Sequence, residues 1–199
     1  MRGKQRRTGS GAVFLWEECR GKGFTHSANC DIMEKSAEGE PMYHIGQHVT
    51  HPMHGAGQIS GEIQQRSAQG PKMYYILTLQ QGGLQLYIPC DGCEKAGLRP
   101  TITRQEAEGL LRTLPALSVE NNANWNQRYR ENMEHLRSGD PRRVAVVIKS
   151  LQAREADRTL STGERKMLTT ARQILLSELS VALECTPQEA ENLLRSALA

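Results

Sequence analysis

Aromatic residues are scarce in this 199-residue chain, with two phenylalanines, two tryptophans and five tyrosines. Both phenylalanines, Phe14 and Phe24, precede residue 42, so a core built further on must rely on aliphatic side chains, tyrosines and Trp125. No apolar run approaches the roughly 20 residues of a membrane helix. The longest near the start, Ala12 to Trp16, is shorter than the about 7 to 15 residues of a signal-peptide core. A cytoplasmic protein with no membrane partner is expected. Cysteines number five, at positions 19, 30, 90, 93 and 185; the odd count and the scatter do not match the paired framework of a small secreted fold, and reduced thiols are expected. An excess of one charge is also lacking. Lys plus Arg is 25 and Asp plus Glu is 22, a net +3, which permits an anionic partner without demanding one. The 38% of hydrophobic residues nevertheless suffices for a core and excludes disorder throughout.

Catalytic motifs are missing as well. There is no phosphate-cradling glycine loop before a helix, no nucleophile elbow, no HExxH and no pair of carboxylates in an enzyme-like setting. A non-enzymatic protein without a cofactor is the expectation. Cys90-Asp-Gly-Cys93 has the spacing to chelate one metal ion or close a small disulfide ring. A structural zinc site needs four ligands, however, and no second CxxC exists. His48, His51 and His54 recur every three residues, which would share a face only in a helix, and Pro52, Gly55 and Gly57 oppose one.

Residues 1–41 carry six glycines, seven basic and six acidic residues with no useful period, and disorder is expected there. The alternative is that the native chain starts at Met42, Glu38-Gly39-Glu40 then reflecting a purine-rich ribosome-binding site. From residue 42 to 100 the texture is that of short strands. Met73, Tyr75, Leu77 and Leu79 alternate with Tyr74, Ile76 and Thr78, and after Gln81-Gly82-Gly83 alternation resumes through Leu84, Leu86 and Ile88, which predicts a hairpin. Gln47 to Thr50 and Gln58 to Ile63 read as further strands around the turn-rich His51 to Gly57. Four or five strands in so short a stretch predict a small closed barrel.

Over 101–199 helix starts follow one another. Thr103-Arg-Gln-Glu106, Ser161-Thr-Gly-Glu164 and Thr186-Pro-Gln-Glu189 have the capping-box form. In Gly139-Asp140-Pro141 the three residues suit a helix end, an N-cap and a first helical position. Apolar stripes agree: Val144, Val147, Ile148 and Leu151 on one helix, and Met167, Leu168, Ala171, Ile174, Leu175 and Leu179 on the next. The predicted fold class is α+β, a small barrel followed by about five helices.

The informative stretch is Asn124-Trp-Asn-Gln-Arg-Tyr-Arg130. Tyr129, Met133 and Leu136 form an apolar stripe and are read as core. Trp125 lies one turn earlier, behind Asn121, Asn122 and Asn124; it either packs inside or projects past the helix end. Between Asn121 and Lys149 six basic residues (Arg128, Arg130, Arg137, Arg142, Arg143, Lys149) face three acidic ones, a local excess of 6 − 3 = +3. An exposed indole among arginines suits DNA, the guanidiniums anchoring phosphates while the ring wedges against or stacks on a base.

Over residues 42–199 the chain resembles the CarD and CdnL group of bacterial transcription regulators. The resemblance rests on Ile45-Gly46, His51-Pro-Met-His-Gly-Ala-Gly57, Tyr74-Tyr-Ile-Leu77, Leu84 to Pro89, Gly97-Leu98-Arg99, Asn124-Trp125 with Arg128-Tyr129, Leu136-Arg-Ser-Gly-Asp140, and Leu160 to Leu168 leading into Ala171 to Leu175. It implies a Tudor/SH3-like barrel that binds the β subunit of RNA polymerase, a module shared in type with transcription-repair coupling factors, and a helical domain that touches promoter DNA. By that resemblance Trp125 wedges into the minor groove at the upstream edge of the melted bubble, while Arg128, Arg130 and Arg165 grip the backbone. The polymerase-facing residues would be Gln65, Arg66, Tyr87 and Pro89. Relatives carry arginines where this sequence has Gln65 and Tyr87, and the outward Tyr87 offers aromatic packing in place of a salt bridge. A nucleoid-associated, monomeric regulator is implied. Two rivals remain: a barrel that captures an unrelated protein while the helices only dimerise, and a zinc or thiol-redox protein using Cys90 and Cys93.

Overall fold

The alternating stretch from His48 onward forms a five-stranded antiparallel sheet in the computed structural model, which describes residues 42–67, 70–118 and 124–198. The expectations for residues 1–41, and for Asn121 and Asn122, lie outside the described residues. The strands are β1 (His48–His51), β2 (Gly55–Ser67), β3 (Gly70–Leu79), β4 (Gln85–Pro89) and β5 (Arg99–Pro100), in the order β4-β3-β2-β1-β5. Tyr75, Leu77 and Leu79 of β3 point inward with Val49, Ile59 and Ile88 to form the sheet's own core, as their alternation predicts. Met73 shares their parity but is exposed, lying where the β2–β3 hairpin runs on past the core.

Two differences from the sequence pattern have local causes. Strand β2 begins at Gly55, inside the stretch read as a turn. A Cβ at Gly55 would collide with Ser177 Oγ, and one at Gly57 would lie 2.5 Å from the Thr78 carbonyl oxygen. These glycines permit close approach of backbones rather than interrupting the strand. The second difference is a bulge between Ile59 and Gly61, where Ile59 pairs with Leu77 but Gly61 with Ile76. The extra residue, Ser60, reverses which parity of β2 faces the core, and Ile63 is turned outward.

Five helices follow among the described residues: α1 (Arg104–Thr113), α2 (Trp125–Arg137), α3 (Pro141–Asp157), α4 (Thr162–Ala182) and α5 (Pro187–Leu198). Thr103 and Ser161 close full capping boxes with Glu106 and Glu164, and Thr186 makes the same reciprocal bonds with Glu189. Asp140 caps α3 by accepting from the Arg142 N–H at 2.8 Å, with Pro141 next to it. All the predicted stripe residues of α3 and α4 are buried in a second core.

Helix α4 packs against α3, α5 and β2, and polar bonds fasten it to the sheet. Glu178, with no exposed surface, accepts from both Nη nitrogens of Arg99 (Nη2 at 2.8 Å), from the Thr50 hydroxyl at 3.2 Å and from the Ile102 N–H at 3.2 Å. The Arg99 Nε–H donates to the Gly139 carbonyl at 2.6 Å, and the Ala56 N–H to Ser177 Oγ at 2.9 Å. Met53, in the β1–β2 turn, packs into the helical core.

Candidate functional site

Asn124 starts α2 by accepting from the N–H groups of Asn126 and Gln127, which makes Trp125 the first helical residue, where no preceding turn covers its side chain. The indole is 44% exposed. Tyr129, one turn on, is 37% exposed rather than core, and its ring stacks on the indole with centroids 5.4 Å apart and planes 26° apart. The inward stripe of α2 is instead Arg128, Asn132 and Leu136, spaced by four.

That stripe corrects the role expected of Arg128. Its side chain is buried and its Nη2 lies 3.3 Å from Glu164 Oε1 on α4; it is not presented to a phosphate. Arg154 of α3 brings its Nε to 3.2 Å from the same oxygen. Burial opposes ionisation of Glu164, but the N–H and hydroxyl of Ser161, then Arg128 and Arg154, outweigh it and hold the carboxyl below its ordinary value. Lys149 is likewise committed, donating to the carbonyls of Leu114, Pro115 and Leu117 at 2.7 to 3.1 Å. Of the six cations counted on this stretch, Arg130, Arg137, Arg142 and Arg143 remain on the surface. Among the described residues Arg130 turns back to the Asn126 carbonyl at 3.4 Å, and Arg143 lies 3.8 Å from Asp140. Arg165 is exposed in the first turns of α4, the helix whose cap, Ser161, accepts from the Trp125 Nε1–H at 3.4 Å.

A second surface lies on the outer face of the sheet. Opposed residues of antiparallel strands share a face, so the rows Gly61–Ile76–Tyr87, Ile63–Tyr74–Pro89 and Gln65–Lys72 stand together. Ile63 and Tyr87 are 38% and 42% exposed on it, an apolar patch of the kind that marks an interface. Gln65, Tyr87 and Pro89 are thus brought together, whereas Arg66, paired with Pro71, points to the opposite face.

Neither thiol nor imidazole makes a reactive centre among the described residues. Cys93 is buried, its thiol donates to the Pro89 carbonyl at 3.3 Å, and burial together with Cys90 pushes it up to about 11. Cys90 is also raised, chiefly by burial. Such thiols are poor nucleophiles. His51 accepts from the Met53 N–H at Nδ1, and burial with His54 lowers it to about 4. No group of three or more metal-ligating side chains occurs among the described residues, and none of the described helices is long and apolar enough to cross a membrane.

Comparison with known proteins covers both parts of the fold. Residues 43–102 match the family described as "CarD-like/TRCF RID domain", and residues 109–195 match "CarD, C-terminal domain". A protein of Bacillus subtilis (strain 168), named "Putative transcription factor YdeB", is 25% identical over 148 residues, 74% of this chain and 97% of that protein.

Proposed function

Because the chain belongs to the CarD-like family of transcription regulators, we propose that it binds RNA polymerase through the outer face of its sheet and promoter DNA through its helices. In this reading Trp125 wedges at the upstream edge of the melted bubble and stabilises the open complex. The observation that carries it is the half-exposed indole at the first position of α2, with Arg130 and Arg165 exposed around it. The mechanism is differential binding: a protein with affinity only for the opened state shifts the equilibrium by that affinity, and no bond is made or broken. It acts as a monomer in the bacterial cytoplasm, held at the nucleoid by its polymerase. The test is the lifetime of a promoter open complex with cognate bacterial polymerase. The protein should lengthen it; an unchanged lifetime with competent polymerase overturns the reading.

The outer face presents to the polymerase β subunit the Tyr87 ring, flanked by Ile63, Tyr74, Ile76 and Pro89, with Gln65 at its rim. A central aromatic in such a patch is a typical hot spot. Tyr87→Ala should weaken capture of polymerase about 30-fold or more, from the roughly 2 kcal/mol that defines a hot spot, without shifting the melting temperature. A pull-down titration against purified β subunit checks this, and equal capture would remove the patch from the interface.

Arg130 and Arg165 supply phosphate contacts, which release counterions. Arg130→Glu should lower the slope of log affinity against log salt by about 1, with the largest loss at low salt. A slope equal to that of the wild type would show that Arg130 touches no phosphate.

A further inference from the structure

The indole of Trp125 is held by two neighbours before any ligand arrives. Tyr129 stacks against one face, Ser161 takes its only hydrogen-bond donor, and Gly163 leaves room beside the ring, its absent Cβ falling 4.0 Å from Trp125 Cζ2. Ser161 has one proton to give and two lone pairs to offer. Its hydroxyl lies 2.8 Å from Glu164 Oε2, an ionised carboxylate that can only accept, so the proton goes there. The lone pairs are then left for the Glu164 N–H at 3.3 Å and the Trp125 Nε1–H at 3.4 Å. The charge on Glu164, held by Arg128 from α2 and Arg154 from α3, therefore makes Ser161 an acceptor toward the indole.

We propose that Ser161 and Tyr129 are positioning residues for the Trp125 wedge, with Glu164 setting the direction of the Ser161 hydroxyl. The proposal rests on the reading of Trp125 as the wedge. Two consequences follow from the geometry. One face of the indole is already covered, so a single base can stack, on the other. The Nε1–H is turned toward Ser161 Oγ at 3.4 Å, so a base edge has to compete with that hydroxyl for the donor, whereas stacking is tolerant of sequence. Ordering a free tryptophan on binding would cost about 0.5–1.5 kcal/mol, or about two- to tenfold in affinity; the clamp removes that cost beforehand.

The test uses the full chain carrying Trp16→Phe, which leaves Trp125 as its sole tryptophan. Ser161→Gly keeps a workable N-cap but removes the hydroxyl, whereas Ser161→Thr keeps both. In the free protein, time-resolved fluorescence anisotropy should show a faster nanosecond motion of the indole in Ser161→Gly and wild-type motion in Ser161→Thr. The open-complex lifetime should fall about two- to tenfold in the glycine variant and recover in the threonine variant. An indole equally rigid in Ser161→Gly, or a mobile one with an unchanged lifetime, overturns the proposal. If the parent protein itself leaves the lifetime unchanged, the wedge reading falls first and the proposal falls with it.

Discussion

Replacing Trp125 with alanine is expected to return the open-complex lifetime to that of polymerase alone while leaving the fold and the capture of polymerase intact. Stacking of a base on an aromatic ring is worth about 1–3 kcal/mol, which corresponds to about 5- to 150-fold in lifetime. The indole contributes little to folding, because it is 44% exposed and, among the described residues, it stacks on Tyr129 and makes one bond to Ser161. Its loss should cost less than about 1 kcal/mol and lower the melting temperature by less than about 4 °C. Filter retention of preformed promoter complexes after addition of a competitor gives the lifetime, and thermal unfolding gives the control. A lifetime equal to that of the wild type would end the wedge reading. A melting temperature lowered by ten degrees or more would show instead that Trp125 supports the fold.

What the sequence revealed and what it hid divide along physical lines. The capping boxes at Thr103 and Ser161, the stop and start at Gly139 to Pro141, and the stripe from Met167 to Leu179 depend on residues within a turn or two of one another. Their periods and caps could therefore be read directly, and the structure bears them out. The faces of β2 could not be read, because the bulge at Ser60 shifts the alternation without any change in residue pattern. Polar residues with distant partners were hidden too. Arg128 looked like a surface cation because Glu164, 36 positions away, is what makes its burial tolerable. Lys149 likewise caps carbonyls more than 30 positions back. Apolar spacing alone places Tyr129 in the core, yet Arg128 occupies the inward stripe and leaves Tyr129 beside Trp125, an arrangement that the ion pair explains. The spacing by four of Arg128, Asn132 and Leu136 was the available signal, but polar residues in an inward stripe carry no weight until a partner is known.

Glu178→Gln is expected to destabilise the fold strongly. Its carboxylate is fully buried and collects two bonds from Arg99, one from Thr50 and one from the Ile102 N–H. Removing one member of a buried pair costs about 3–5 kcal/mol, since the other charge is left uncompensated. Arg99 keeps a quarter of its side chain exposed (26%), so water offsets part of the loss and the lower end, about 3 kcal/mol, applies. That corresponds to a fall in melting temperature of about 6–12 °C. A double variant, Arg99→Met with Glu178→Leu, should recover much of it, because replacing the whole pair with apolar groups of similar volume leaves no unpaired charge. A Glu178→Gln protein that melts within about 2 °C of the wild type would show that the pair is not what joins the helices to the sheet. The same bonds fix the distance between the outer face of the sheet and the indole of Trp125, since Arg99 grips both α4 and the Gly139 carbonyl between α2 and α3. A destabilised junction should therefore shorten the open-complex lifetime even at temperatures where the protein remains folded and still captures polymerase. The double variant should recover much of the melting temperature but not the lifetime, because it removes the Arg99 bonds to α4 and to the Gly139 carbonyl that set this distance.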